Sequence, residues 1–141
     1  MDSAMISIEQ ISWQQSIGLR HAVLWPEKPP EFCHVEDDET GTHFGVFYDA
    51  RLVCVASLFQ SGNSIRLRKF ATDQDYQGQG IGSALLEHTL DFAKEQGASN
   101  FWCDARESAI PFYSRFGFGP EGERFYKGEV PYFKLSIELE T

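Results

Sequence analysis

The chain has 141 residues and a formal net charge of −9, from 12 Lys and Arg against 21 Asp and Glu. That balance argues against nucleic acid as a partner, which calls for a concentrated basic surface, and suits attraction of a cationic amine. The length fits one compact domain over residues 1–141 with chain enough to bury a core, and no apolar run approaches the ~20 residues that span a bilayer.

Taken in order, Met5 to Ile11 alternates as a first strand, and Ser12 with Gln15 forms a candidate capping box for a helix that stops before Pro26. Pro26 to Thr42 reads as a loop, with Pro29-Pro30 and the acidic run Glu36-Asp37-Asp38-Glu39. Phe44 to Tyr48 and Leu52 to Phe59 are predicted strands joined by an Asp49-Ala50-Arg51 turn, and Ser61-Gly62-Asn63 leads into a strand at Ile65. The run Ile65-Arg66-Leu67-Arg68-Lys69-Phe70-Ala71 alternates apolar with basic residues, as a half-buried strand does.

Next comes the most informative segment, Gln77-Gly78-Gln79-Gly80-Ile81-Gly82, which opens an amphipathic helix with Ile81, Leu85, Leu86, Leu90, Phe92 and Ala93 on one side. Gly97 ends that helix, and Phe101-Trp102-Cys103 reads as a buried strand, completing a βαβ unit. Near the C-terminus, Arg124-Phe125-Tyr126 pairs through Lys127-Gly128-Glu129 with a period-two strand carrying Phe133, Leu135, Ile137 and Leu139. The expected fold class is α/β, with a mixed, mostly antiparallel central sheet flanked by helices.

Glycines before a helix let backbone amides approach an anion, and the helix N-terminus adds unpaired N–H groups and the positive end of its dipole. The spacing selects among phosphate ligands. A Walker loop needs Gly-Lys-Ser/Thr, whereas Gly82 is followed by Ser83 and Ala84. The dinucleotide fingerprint fits Gly78 and Gly80, and Asp104 ends the next strand where a ribose-binding acid belongs. Its third glycine falls at Ser83, however, and Thr72 to Tyr76 intervene between strand and loop.

Cys33, Cys54 and Cys103 form no CxxC pair, and Cys54 and Cys103 lie in apolar runs, so reduced core thiols are expected. With no signal-peptide pattern at the N-terminus, this points to a cytoplasmic location. His21, His34, His43 and His88 show no ligand spacing, and no metal is expected.

Gln77, Gly80 and Gly82 match the Gln/Arg-x-x-Gly-x-Gly/Ala loop of the GNAT superfamily of acyl-CoA-dependent N-acetyltransferases, position for position. Ala109-Ile110-Pro111-Phe112-Tyr113-Ser114-Arg115-Phe116-Gly117-Phe118 resembles the family's Ala-x-x-Phe-Tyr-x-x-x-Gly-Phe helix and turn. The resemblance implies transfer of acetyl from acetyl-CoA to a primary amine of a small molecule or peptide, on a sheet that splays at the acyl-CoA site. It implies backbone hydrogen bonds from Phe70, Ala71 and Thr72 to the pantetheine arm and acyl carbonyl. Amides of Gln77, Gly78, Gln79, Gly80, Ile81, Gly82 and Ser83 would hold the pyrophosphate, and Tyr113 would donate the proton to the leaving thiolate.

Two positions depart from the pattern. The glutamate that some members use as a base would fall near Arg66, where there is no carboxylate, and Arg106 stands where many relatives have asparagine. Base candidates are then Glu36 to Glu39, His43, Glu123 or Glu129 through water. A noncatalytic acyl-CoA-binding module is the alternative reading. Trp25, Tyr126, Tyr132 and Phe133 are candidate surface aromatics for a substrate wall or a homodimer.

Overall fold

The computed structural model describes residues 6–139. Its sheet has eight strands, in the hydrogen-bonded order β1-β2-β3-β4-β5-β8-β6 with β7 added to β8. The strands are β1 (Ile6–Ile11), β2 (Thr42–Tyr48), β3 (Arg51–Ser61), β4 (Ser64–Thr72), β5 (Asn100–Arg106), β6 (Gly119–Pro120), β7 (Phe125–Lys127) and β8 (Val130–Glu138). Three α-helices accompany them: α1 (Trp13–Leu19), α2 (Ile81–Glu95) and α3 (Ile110–Ser114). The pairings β1–β2, β2–β3, β5–β8, β6–β8 and β7–β8 are antiparallel, while β4–β5 is parallel, so the sheet is mixed as expected.

The described chain divides into two compact units. One contains the chain up to Phe59 together with Leu67–Phe92, and the other contains Gln60–Arg66 and the chain from Ala93 onward. All three division points fall inside regular elements, β3, β4 and α2.

In the first unit, the Ser12 cap is realised in full. Its hydroxyl accepts from the Gln15 amide while the Gln15 side chain accepts from the Ser12 amide, so two donors at the start of α1 are satisfied. The predicted first strand begins at Ile6, and Met5 lies outside the described residues. A π-helical turn over Arg20–Leu24 continues α1, a departure that the apolar pattern does not announce. The helix α2 buries Ile81, Leu85, Leu86, Leu90 and Ala93, as the wheel predicts. Ile11, Val55 and Ala71 form a core cluster backed by Leu19, Val23, Leu24, Phe47 and Leu52.

The β2–β3 hairpin turns on Asp49 and Ala50 alone, with Arg51 already in the strand and paired with Tyr48. Both turn residues have positive φ, 49° and 74°, as a two-residue primed turn requires. Alanine in that region carries a cost of about 1–2 kcal/mol that glycine escapes. Ala50→Gly is therefore expected to stabilise the protein by about 0.5–1 kcal/mol in urea denaturation, after the greater freedom of glycine in the unfolded chain is offset.

In the second unit, β5 alternates strictly, with Phe101, Cys103 and Ala105 buried between more exposed neighbours. Phe118 packs on both Phe101 and Tyr113, with ring centroids 5.8 and 5.4 Å apart. Tyr132 is buried and stacks on Phe125, which corrects its reading as a surface aromatic, whereas Tyr126 is exposed.

Candidate active site

The glycine loop runs directly into the N-terminus of α2. Gly78 and Gly80 adopt φ of 76° and 85°, and a Cβ at either would meet nothing within 4 Å. The constraint is therefore the left-handed backbone, which L-residues adopt at a cost, and not crowding. The first turn of α2 follows directly, and the Ala84 amide donates to the Gly80 carbonyl at 3.0 Å as the opening intrahelical bond. Amides preceding Ala84 in the helix have no carbonyl one turn back within it. No acidic residue stands in this first turn to oppose an anion.

Side chains fasten the loop to the end of β4. The Gln77 amide group donates to the Thr72 carbonyl at 3.0 Å, and Thr72 Oγ1 lies 3.2 Å from Cys54 Sγ. Asp73 accepts from the Asp75 amide at 2.9 Å and pairs with Arg51 at 3.1 Å, and its own amide donates to the Val53 carbonyl. These contacts hold the approach to Gly78 and Gly80 without spending a loop amide.

On β4 itself, Lys69 has φ 55°, a left-handed residue inside a strand and immediately before Phe70, Ala71 and Thr72. Such a conformation interrupts the pleat and costs about 1–2 kcal/mol. The β4–β5 ladder runs only from Ser64–Asn100 to Arg66–Trp102, although both strands continue. The ladder ends just ahead of the distorted segment.

Tyr113 lies in α3, buried at 8% exposure, with Phe112 and Phe118 against its ring. Burial, followed by the charge of Cys103 and a hydrogen bond with it, holds its phenol well above the usual range, so it remains protonated at neutral pH. Burial likewise raises the Cys103 thiol to about 12.

His43 is not free to act as a base. Its Nε2 lies 2.9 Å from the Asp38 carbonyl and therefore carries the donated proton, while Nδ1 faces Ser57 Oγ at 2.7 Å. Ser57 Oγ accepts from Arg20 Nη2 at 2.9 Å, which directs its own proton to Nδ1. The sequence reading missed Arg20. It is fully buried, bidentate on Asp38 at 2.7 and 2.9 Å, and donates to the Cys33 carbonyl at 2.9 Å. Asp38, one residue of the acidic run, is thus structural, with Val35 donating to it at 2.8 Å.

Arg66, at the position of the absent glutamate, pairs with Asp104 at 2.8 Å and lies over Trp102 at 4.6 Å. Asp104 is accordingly engaged by Arg66, in place of the ribose contact that a dinucleotide fold would give it. Among the described residues, no group of three or more His, Cys, Asp or Glu is placed to hold a metal ion, and no helix is long and apolar enough to cross a membrane. Cys33, Cys54 and Cys103 are all buried and unbridged.

Residues 23–139 match the family model described as the acetyltransferase (GNAT) domain. The chain belongs to the GNAT acetyltransferase family. It is 33% identical over 130 residues to the uncharacterized N-acetyltransferase YitI of Bacillus subtilis, covering 86% of this chain and 87% of that one. It is also 33% identical over 101 residues to the ribosomal protein bS18-alanine N-acetyltransferase of Escherichia coli, covering 70% of this chain and 66% of the relative. A GNAT-family acetyltransferase of Elizabethkingia anophelis, solved with acetyl-CoA bound, shares the fold at TM-score 0.74 and 16% identity, over 95% of this chain and 98% of that one. The chain is thus an acetyl-CoA-dependent N-acetyltransferase whose acceptor amine is unidentified.

Proposed function

We propose that this chain binds acetyl-CoA through the amides of Gln77 to Ser83 and of Phe70 to Thr72, and that an amine attacks the thioester directly. Acetyl-CoA supplies the electrophilic acyl carbon and the thiolate leaving group. The observation that carries the reading is the pair of left-handed glycines immediately before the N-terminus of α2, where rigid backbone donors suit a pyrophosphate. A donor from the segment after Lys69, aimed at the acyl oxygen, would stabilise the oxyanion that develops during attack. No cysteine is assigned a covalent role. Cys54 and Cys103 are buried with thiols raised to about 11 and about 12, which keeps them protonated and poorly nucleophilic.

Tyr113 is the proposed acid. A phenol held neutral across the working pH range donates a proton without first having to be charged. Tyr113→Phe is expected to lower kcat by about 10²-fold while leaving acetyl-CoA affinity nearly unchanged. The wild-type rate should show no descending limb from Tyr113 in the neutral range, because the phenol stays protonated there. Wild-type turnover by the Phe variant at every pH would remove Tyr113 from the mechanism.

Residues 1–141 are proposed to act as one catalytic domain in the cytoplasm. The acceptor is a small-molecule or peptide amine, to which the net charge of −9 is attractive. The bS18-alanine relative makes a peptide α-amine one class worth testing. The test is acetyl-CoA consumption across polyamines, amino sugars, amino acids and alanine-terminated peptides. Turnover of one class supports the reading, whereas acetyl-CoA binding with no turnover on any would mark a noncatalytic module.

A further inference from the structure

The alternation of β5 gives the second unit two unlike faces. Phe101, Cys103 and Ala105 are buried on the side where Phe118 packs, whereas Trp102 and Asp104 are half-buried and Arg106 is exposed. Register sets Arg66 of β4 beside Trp102, and Ser136, Lys134 and Tyr132 of β8 opposite Trp102, Asp104 and Arg106. Two cations meet one indole there. The Arg66 guanidinium carbon lies 4.6 Å and Lys134 Nζ 4.5 Å from the centre of the Trp102 ring. In a chain of net charge −9, this face gathers Arg66, Arg106 and Lys134 against Asp104 and Glu121.

The counter-ions hold these cations incompletely. Asp104 accepts from Arg66 Nη2 at 2.8 Å, but Arg66 Nε is buried with no hydrogen-bond partner among the described residues. Glu121 lies 3.7 Å from Lys134, and with side chains 54% and 38% exposed that pair contributes little. Two positive charges sharing one ring repel each other, and an anion between them removes that cost. Turning the guanidinium toward solvent offers its Nε–Nη edge in the bidentate geometry that carboxylate and phosphate favour. Lys134 adds a point charge, and Trp102 supplies a flat apolar floor.

We propose that this face binds a carboxylate or phosphate group over Trp102, between Arg66 and Lys134. The group arrives either as a free anion or as part of the acceptor amine. Binding of a free anion is independent of the acetyl-transfer reading, whereas use of the site by an acceptor rests on it.

The test titrates inorganic phosphate, and separately acetate, into the whole ¹⁵N-labelled protein at constant ionic strength. The Trp102 indole N–H, one of 3 tryptophans, is assigned by Trp102→Phe, and the Arg66 Nε–H by Arg66→Gln. Both should shift saturably while the Trp13 and Trp25 indoles stay in place. Lys134→Gln should weaken binding about fivefold or more, and Lys134→Arg should retain it. Asp104→Asn, which releases Arg66, should tighten it by roughly threefold. Arg66→Gln combined with Asp104→Asn leaves neither charge alone in a folded protein, and should abolish the Trp102 shift. Lys94→Gln, which removes an exposed charge from α2, should change nothing.

An amino acid acceptor and its carboxamide separate the two sources. A ratio of amide to acid KM about fivefold larger in the wild type than in Lys134→Gln assigns the group to the acceptor, and an equal ratio assigns it to a free anion. No saturable shift at Trp102 would overturn the proposal, as would a loss in Lys94→Gln as large as that in Lys134→Gln. Absence of acetyl transfer to every amine overturns the catalytic reading instead, and the phosphate titration still decides this one.

Discussion

Replacing Asp38 with Ala is expected to destabilise the protein by about 3–5 kcal/mol, because it leaves the Arg20 guanidinium buried and unpaired. Arg20 and Asp38 both have fully buried side chains, and the guanidinium is held at 2.7 and 2.9 Å. Arg20 Nε already lacks a hydrogen-bond partner, so the site has little reserve against further loss. The network ties the π-helical turn to the Pro26–Thr42 segment and to β3 through Cys33, Asp38 and Ser57. Replacing both partners by Arg20→Met and Asp38→Leu should cost much less than Asp38→Ala alone, and denaturation of the single and double variants measures the difference.

The same carboxylate has a signature in pH. Burial by itself would raise the Asp38 carboxyl, but hydrogen bonds from Arg20 and the Val35 amide, with the charge of Arg20, outweigh it and leave it below its ordinary value. A carboxyl depressed in the folded state stabilises fully above its unfolded value of about 4, and loses that contribution as pH falls through the folded value. Stability should therefore be insensitive to Asp38 near neutrality and fall in acid. Asp38→Asn should lack that acid component, and urea midpoints between about pH 2 and 7 would show it.

Gly80→Val is expected to weaken acetyl-CoA binding by about 100-fold or more in a protein that still folds. Gly80 has φ 85°, so a β-branched side chain must either strain the backbone or re-aim the amides leading into α2. Losing one or two charge-assisted hydrogen bonds, each worth about 1.5–3 kcal/mol, accounts for that factor. The open space around its Cβ position means that packing is not what fails. A melting temperature reduced only slightly, together with affinity near that of the wild type, would remove Gly80 from the binding machinery.

Much of this was legible because it is local. The alternation of β4 and β8, the Ser12–Gln15 box, the glycines ahead of α2 and the Phe112-Tyr113 motif are short-range patterns, and each reappears as the corresponding element. What escaped depends on distant partners. Arg20 after a helix and Asp38 in an acidic run both resemble solvated charges, and only folding across 18 residues makes them a pair. His43 retains its appeal as a base until Ser57 and Asp38 occupy both nitrogens. Lys69 and Ala50 adopt left-handed backbone with no glycine or asparagine to signal it.

The most direct test of acetyl-CoA dependence is a calorimetric titration of the purified wild-type protein with acetyl-CoA, alongside CoA, NAD and ATP. Saturable binding of acetyl-CoA, tighter than NAD or ATP by at least about tenfold and weakened by about 100-fold or more in Gly80→Val, is the predicted result. Folded protein that takes up no acetyl-CoA, or that prefers NAD, would contradict it.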